Sequence, residues 1–391
     1  MYEVLYQGVD TLDIAFQGAF PDATLKELDT AAEEARTANK EQLLAIGPGA
    51  VQVLVQPNGM RGGFRYVFNT GPTGAIFAVK DNTDLKEWNL FISIRALCLL
   101  TLGYQGAKER LHNTLADMGF LVTDLSVNRI DYAVDVLAPD FTLDVQNFVM
   151  PGQAKARPYW SKERELDDDG YRPKAVIRGR KFESVTIGTM PNRQVIVYNK
   201  RRAAIDQHQP YWFEAWGIEK DDPGAQVWRV EIRGGRDAWA KRLLKRSYEA
   251  IESDLKPFLL GATAEIRYVS DKSQQKNVSR LSPHFLWNTV VSAISTNRTA
   301  GEPPLPERRA LQIIREQRID HALKQGIGNL FGYFILKGES PDAIAYNMAS
   351  HMVHAASAYM RIFGREGTAM RIRRSQSKFA FLVEESSQQD H

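Results

Sequence analysis

The sequence is almost without cysteine. Its one copy, Cys98, sits in the apolar run Ala-Leu-Cys-Leu-Leu at 96–100. No disulfide framework or thiolate metal site can be assembled from it, and it reads as a small buried hydrophobe. Histidine is scarce too, with 7 copies and no His-x-His pair, which argues against a metal held on neighbouring imidazoles. No apolar run approaches the roughly 18 residues of a membrane span. There is no Gly-x-x-x-x-Gly-Lys-Ser/Thr loop to cradle a nucleoside triphosphate. The opening stretch MYEVLYQGVD has neither the basic nor the apolar region of an export signal, so a cytoplasmic location is expected.

What is present is ample apolar material and unevenly divided charge. Hydrophobic residues make up 43% of the 391, enough for a large domain plus a smaller one. The net charge of +3 hides an asymmetry. Residues 1–150 hold 11 Lys and Arg against 19 Asp and Glu, whereas 151–250 hold 21 against 14 and 251–391 hold 18 against 14. An acidic first third followed by a basic remainder suits a surface that receives a polyanion, although a solvated face gives the same numbers.

Periodicity divides the chain further. Residues 8–18 alternate as a strand, 24–46 has helical period, and strands follow at 50–56, 62–69 and 74–80. GMRGGF at 59–64 reads as a hairpin turn, and the apolar stretch 89–102 fits either state. A helix over 103–120 leads into a strand at 125–137. Further strands are expected at 173–178, 183–189, 193–199 and 226–233, then a helix at 235–257. VDTLDIAFQGAF (9–20) echoes NRIDYAVDVLAPDF (128–141); a duplicated α/β unit with its two central strands adjacent in one antiparallel sheet is one expectation. A polar linker begins near Ser270, and helical patterns recur beyond it at 283–295, 306–326, 328–337 and 341–363, with a basic run MRIRRSQSK at 370–378. The expected fold is therefore α+β: an antiparallel-sheet catalytic domain over 1–270 and a helical accessory domain over 275–391.

Alternation puts Arg129, Asp131, Ala133 and Asp135 on one face of a strand, and Arg229, Glu231 and Arg233 on one face of another. Tyr198 and Lys200 share a third, and Asp13 lies with Ala15 and Gln17 on a fourth. If these strands are neighbours, carboxylates, a phenol and cations converge. Such a surface suits phosphoryl transfer, because a phosphodiester resists attack until its developing charge is neutralised. Hard cations such as magnesium or manganese take carboxylate oxygens, and Asp131, Asp135 and Glu231 are natural ligands. A tyrosine can attack phosphorus and store the bond as a phosphotyrosine, but a phenol with a pKa near 10 needs help from a metal or a cation. The same pattern also reads as a polar sheet face laced with cross-strand ion pairs. Candidates to grip phosphates are Arg178, Arg180, Lys181, Arg193, Arg201, Arg202 and Arg233; Tyr171, Phe182, Tyr211 and Trp212 could stack on unpaired bases.

Three motifs in order, R-I-D-Y-A-V-D (129–135), T-I-G-T-M-P-N-R-Q-V-I-V-Y-N-K (186–200) and W-R-V-E-I-R (228–233), resemble the Rep_trans family. That family comprises replication initiators of rolling-circle plasmids, filamentous-phage-type replication initiation factors and relaxases of some conjugative elements. The resemblance spans roughly residues 8–257. It implies a metal-dependent enzyme that nicks and rejoins one strand of DNA, with Tyr198 as nucleophile. Asp131, Glu231 and Asp135 would be the metal ligands, and Lys200 and Arg229 would lie near the scissile phosphate. Also implied are an unpaired or cruciform origin as substrate, a host helicase to unwind the duplex, and a homodimer. One departure is clear: the family's middle strand commonly reads Gly-Ser-Arg, whereas this chain has Gly188-Thr189-Met190, with Arg193 only later. A conjugative relaxase is the near alternative. A non-catalytic nucleic-acid-binding or regulatory protein using the same basic sheet is the rival from another class.

Overall fold

The computed structural model describes residues 2–152, 181–270, 280–296 and 303–383, together with the backbone of 156–157 and 177–178. The first half runs β1 (Glu3–Ala19), α1 (Asp22–Ala38), β2 (Gln42–Ile46), β3 (Val51–Val55), β4 (Phe64–Asn69), β5 (Ala75–Lys80), β6 (Trp88–Ile94) and α2 (Ala96–Asp117). The second opens with β7 (Leu121–Leu137) and the short pieces β8 (Phe148–Val149), β9 (Ala156–Arg157), β10 (Ile177–Arg178) and β11 (Lys181–Phe182). It continues with β12 (Ser184–Gly188), β13 (Arg193–Asn199), α3 (Lys200–Asp206), α4 (Tyr211–Trp216), β14 (Val227–Gly235), α5 (Arg236–Ala240), α6 (Tyr248–Glu265) and β15 (Arg267–Tyr268). Among the described residues three helices follow: α7 (Phe285–Thr296), α8 (Glu307–Leu336) and α9 (Pro341–Lys378).

One antiparallel sheet organises all of this, in the order β2-β3-β4-β5-β6-β1-β7-β14-β13-β12-β9. The two long strands β1 and β7 lie side by side at its centre, paired from Glu3 opposite Leu137 to Ala19 opposite Leu121. Each half opens with its long strand and later returns a strand to that strand's outer edge, β6 onto β1 and β14 onto β7. The two strands whose sequences echo each other are thus neighbours at the centre of the sheet.

The two faces of the sheet differ. Leu12, Ile14, Phe16, Ile130, Val134, Val230 and Ile232 belong to one continuous buried core, over which α2, α6 and α7 pack against β1 and β7. The opposite face carries the charged residues and is partly covered by α3, α4 and the start of α8. A second cluster there joins Trp212, Trp216, Val227, Ala310 and Ile313.

Several elements differ from the sequence reading. The helix expected over 24–46 stops at Ala38 because Asn39 takes a left-handed conformation (φ 48°, ψ 45°) and caps it. Residues 42–46 then become a strand. The ambiguous stretch 89–102 is divided between β6 and α2. The helix expected over 235–257 is two helices, α5 and α6, and the second begins at a Ser247 cap and passes through Pro257. The two helices expected at 306–326 and 328–337 are one. The helices α3 and α4 have no counterpart among the expected elements.

Candidate active site on the polar sheet face

Strict alternation along β7 sends Ile130, Tyr132, Val134 and Val136 into the core and turns Arg129, Asp131, Ala133 and Asp135 the other way. Strand register extends that face sideways. Asp131 stands opposite Arg233, Ala133 opposite Glu231, and Asp135 opposite Arg229; Arg229 is in turn opposite Tyr198. Three neighbouring strands therefore bring together Asp131, Asp135, Arg229, Glu231, Arg233 and Tyr198. In the row between the two aspartates, β1 and β7 present Gly8 and Ala133, which leaves room for the long side chains above and below.

These groups form two clusters. In the first, the Tyr198 hydroxyl donates to Glu231 Oε2 at 3.2 Å, and Arg233 Nε donates to Glu231 Oε1 at 2.8 Å. Arg233 Nε also lies 3.6 Å from Asp131 Oδ2. Arg129 grips Asp131 with Nε and Nη2, at 2.9 Å to Oδ1 and 2.7 Å to Oδ2. Glu231 and Asp131 are fully buried, yet Tyr198 is only half-buried. Burial pushes the Asp131 pKa up, and the guanidiniums of Arg129 and Arg233 pull it back.

In the second cluster, Arg229 binds Asp135 through Nε (2.5 Å) and Nη2 (2.8 Å) and reaches Asp10 Oδ1 through Nη1 (2.5 Å). Trp216 Nε1 donates to Asp135 Oδ2 at 2.9 Å. The Trp212 ring has Arg229 Cζ at 4.4 Å and Lys200 Nζ at 4.5 Å from its centroid, within cation–π range. Burial opposes the Arg229 charge, but Asp135 and Asp10 outweigh it and hold this guanidinium well above the ordinary arginine value. Lys200 is also buried and lies 6.0 Å from the Tyr198 ring.

No family profile matches this chain, and neither does any curated protein. Among solved structures, it is similar to a rolling-circle replication initiator protein from Geobacillus stearothermophilus. The identity is 14% and the TM-score 0.40, over 77% of this chain and 99% of that one. A likeness of this size carries no argument. The resemblance drawn from the three motifs rests on those motifs alone, and the site is read from its own geometry.

That geometry does not fit a divalent ion held jointly by Asp131, Glu231 and Asp135. Among the described residues no three acidic, histidine or cysteine side chains are grouped to hold a metal. Each of the six carboxylate oxygens concerned already accepts from an arginine, from Trp216 or from Tyr198. Guanidiniums contact all three of these carboxylates, and the Lys200 ammonium lies over Trp212.

The cations expected to grip phosphates have partners of their own. Arg193 pairs with Glu265, Arg202 with Asp206, and Arg201 donates to the Lys220 carbonyl at 2.8 Å. Exposed pairs of this kind are worth less than about 1 kcal/mol, so a phosphate can compete for the arginines. Arg178, Arg180 and Lys181 have side chains outside the described residues, as does Tyr171. Tyr211 and Trp212 are buried in the second core cluster, so they do not offer their faces to bases.

Sequence reasoning missed Asp10, Ser93 and Trp216. Asp10 and Asp13 are three residues apart, and regular alternation would put them on opposite faces. A register shift between Val9 and Thr11 takes Asp10 out of the ladder, as a β-bulge does. Both aspartates then reach the polar face, Asp10 to Arg229 and Asp13 to the Ser93 hydroxyl, which donates to it at 2.6 Å. No local signal marks that bulge.

Proposed function

We propose that this protein binds DNA and cleaves one strand with Tyr198 as nucleophile. The observation that carries this reading is a half-exposed phenol hydrogen-bonded to a buried glutamate whose other oxygen is held by an arginine. In this arrangement Glu231 accepts the phenolic proton as the tyrosine oxygen attacks phosphorus. An oxygen–phosphorus bond to Tyr198 forms, the bond from phosphorus to the 3′ oxygen breaks, and a free 3′-hydroxyl is released once that oxygen has taken a proton from water. Arg233 fixes Glu231, while Lys200 and the field of Arg229 favour the negative oxygen of the nucleophile. Reversal of the same steps rejoins the strand.

Initiation of rolling-circle replication is the biological setting that such chemistry fits, because the 3′-hydroxyl can prime synthesis. The sequence has no triphosphate-binding loop, so unwinding would fall to a host helicase. No step is assigned to a metal ion, since the carboxylates are taken by arginines.

The test is a nicking assay on supercoiled plasmid carrying a cognate origin, with magnesium or manganese present. The wild type should leave DNA attached through tyrosine. Tyr198→Phe should abolish that attachment while remaining folded, having lost one hydrogen bond worth about 1 kcal/mol. Glu231→Gln should slow it by roughly 10²–10⁴-fold. A Tyr198→Phe protein that nicks at the wild-type rate would make Tyr198 a sheet residue and the reading wrong.

A further inference from the structure

Among the described residues, most arginines on the body of this protein face a carboxylate: Arg36 pairs with Glu33, Arg65 with Asp29, Arg110 with Glu307 and Arg242 with Asp254. The end of α9 breaks that habit. Arg361, Arg365, Arg371, Arg373, Arg374 and Lys378 are all exposed, and none is ion-paired among the described residues. Glu366 is the one acidic residue between positions 361 and 378. Arg315 and Arg318 on α8 are likewise exposed and form no ion pair among those residues.

Topology divides these cations between the α8–α9 hairpin and the segment after Gly364, whose non-helical backbone (φ 65°, ψ −176°) kinks α9. α8 leaves the body, the chain turns at 337–340, and α9 returns, with Phe334 against His351 near the turn. Arg315 and Arg361 are each about twenty residues from the turn, at the end of the hairpin nearest the body. That end is anchored: Ala310 and Ile313 of α8 pack with Trp212 and Trp216 over the polar sheet face, and α9 touches β2. α8 is thus anchored over the polar sheet face, whereas α9 meets the β2 edge of the sheet, eight strand positions from the β13 that carries Tyr198.

We infer that the basic end of the α8–α9 hairpin is a second DNA contact, gripping the phosphate backbone outside the cleavage site; DNA as its ligand rests on the nicking reading. Arginine predominates, and its planar fork suits phosphodiester oxygens. Arg371, Arg374 and Lys378 follow one helix face over about 10 Å at 1.5 Å per residue, a length that meets several phosphates of one strand. An anionic bilayer is the poorer match. Met370 and Ile372 are exposed but stand about 200° apart around the helix, so the basic segment has no single apolar face to bury.

The experiment uses the full chain carrying Tyr198→Phe, so that binding is read without cleavage. Fluorescence anisotropy follows a labelled 30-base-pair duplex from 50 to 200 mM salt, with and without Arg371→Gln, Arg373→Gln and Arg374→Gln; glutamine keeps the helix. The triple change should weaken binding at least about tenfold at low salt and reduce the slope of log K against log salt by about 2–3, close to one per lost phosphate contact. Replacing Arg36, Arg65 and Arg242 by glutamine should change the slope much less. An unchanged slope overturns the inference. So does a triple variant that keeps its DNA affinity but no longer sediments with phosphatidylserine vesicles, which would make the surface a membrane contact. Persistent nicking by Tyr198→Phe would sink the catalytic reading and leave the anisotropy result standing, so the two failures are distinguishable.

Discussion

Arg229 is wholly enclosed, and its charge is balanced by Asp135 and Asp10 from two other strands. Removing one partner of such a buried pair leaves the others charged and unsolvated. Arg229→Met is therefore expected to lower the unfolding free energy by about 3–5 kcal/mol, read from urea denaturation. Changing Asp135 and Asp10 to asparagine in the same chain should restore a good part of it. A loss below about 1 kcal/mol for the single change would mean that water reaches the cluster. At this scale the sequence was legible wherever alternation held, as at Asp131, Asp135, Glu231 and Arg233. It failed at Asp10, because one extra residue in β1 reverses the parity of everything before it.

Glycines in single elements carry opposite consequences. In β14 a Cβ on Gly234 would lie 2.7–2.8 Å from the indole of Trp239, a fully buried ring whose Nε1 donates to the Gly234 carbonyl at 2.8 Å. Gly234→Ala should overpack this corner and cost about 1–3 kcal/mol. On the exposed side of α6, a methyl group added at Gly261 would meet nothing within 4 Å, so Gly261→Ala should add roughly 0.5–1 kcal/mol through helix propensity. Denaturation midpoints that move the same way for both would contradict the packing described here. The long strands were readable because their patterns are long. The short helices α3 and α4 were not, since one or two turns, basic in α3 and rich in Trp and Tyr in α4, show no period, and their stability comes from packing.

Across the whole molecule, two imidazoles sit where helices meet the sheet. His112 on α2 packs edge-on against Phe16 of β1 and Tyr248 of α6, and His284 packs against Phe141 and Tyr268. Burial lowers both pKa values, and the neighbouring Lys108 adds to the effect at His112. The folded state therefore resists protonation that the unfolded chain accepts near pH 6.5. Their contribution is fully present above pH 6.5 and is lost as pH falls through the lowered folded values. Urea midpoints measured from pH 7.5 down to 5 should fall, and should fall less in His112→Gln/His284→Gln. Equal slopes in the two proteins would show that carboxylates control this range. The helix α7, which carries Trp287 beside His284, packs against β1 and β7. Burial of Leu286, Trp287 and Val290 there continues the sheet core beyond the polar stretch that begins near Ser270.

The amino-acid sequence by itself determined the fold class, the alternating strands and which residue types share a face, because hydrophobic period and side-chain parity are local properties of the backbone. Only the tertiary structure decided strand order, the bulge that turns Asp10 inward, and the pairing of each carboxylate with an arginine. Those depend on contacts between residues as much as 219 positions apart, such as Arg229 and Asp10, and no local pattern encodes them.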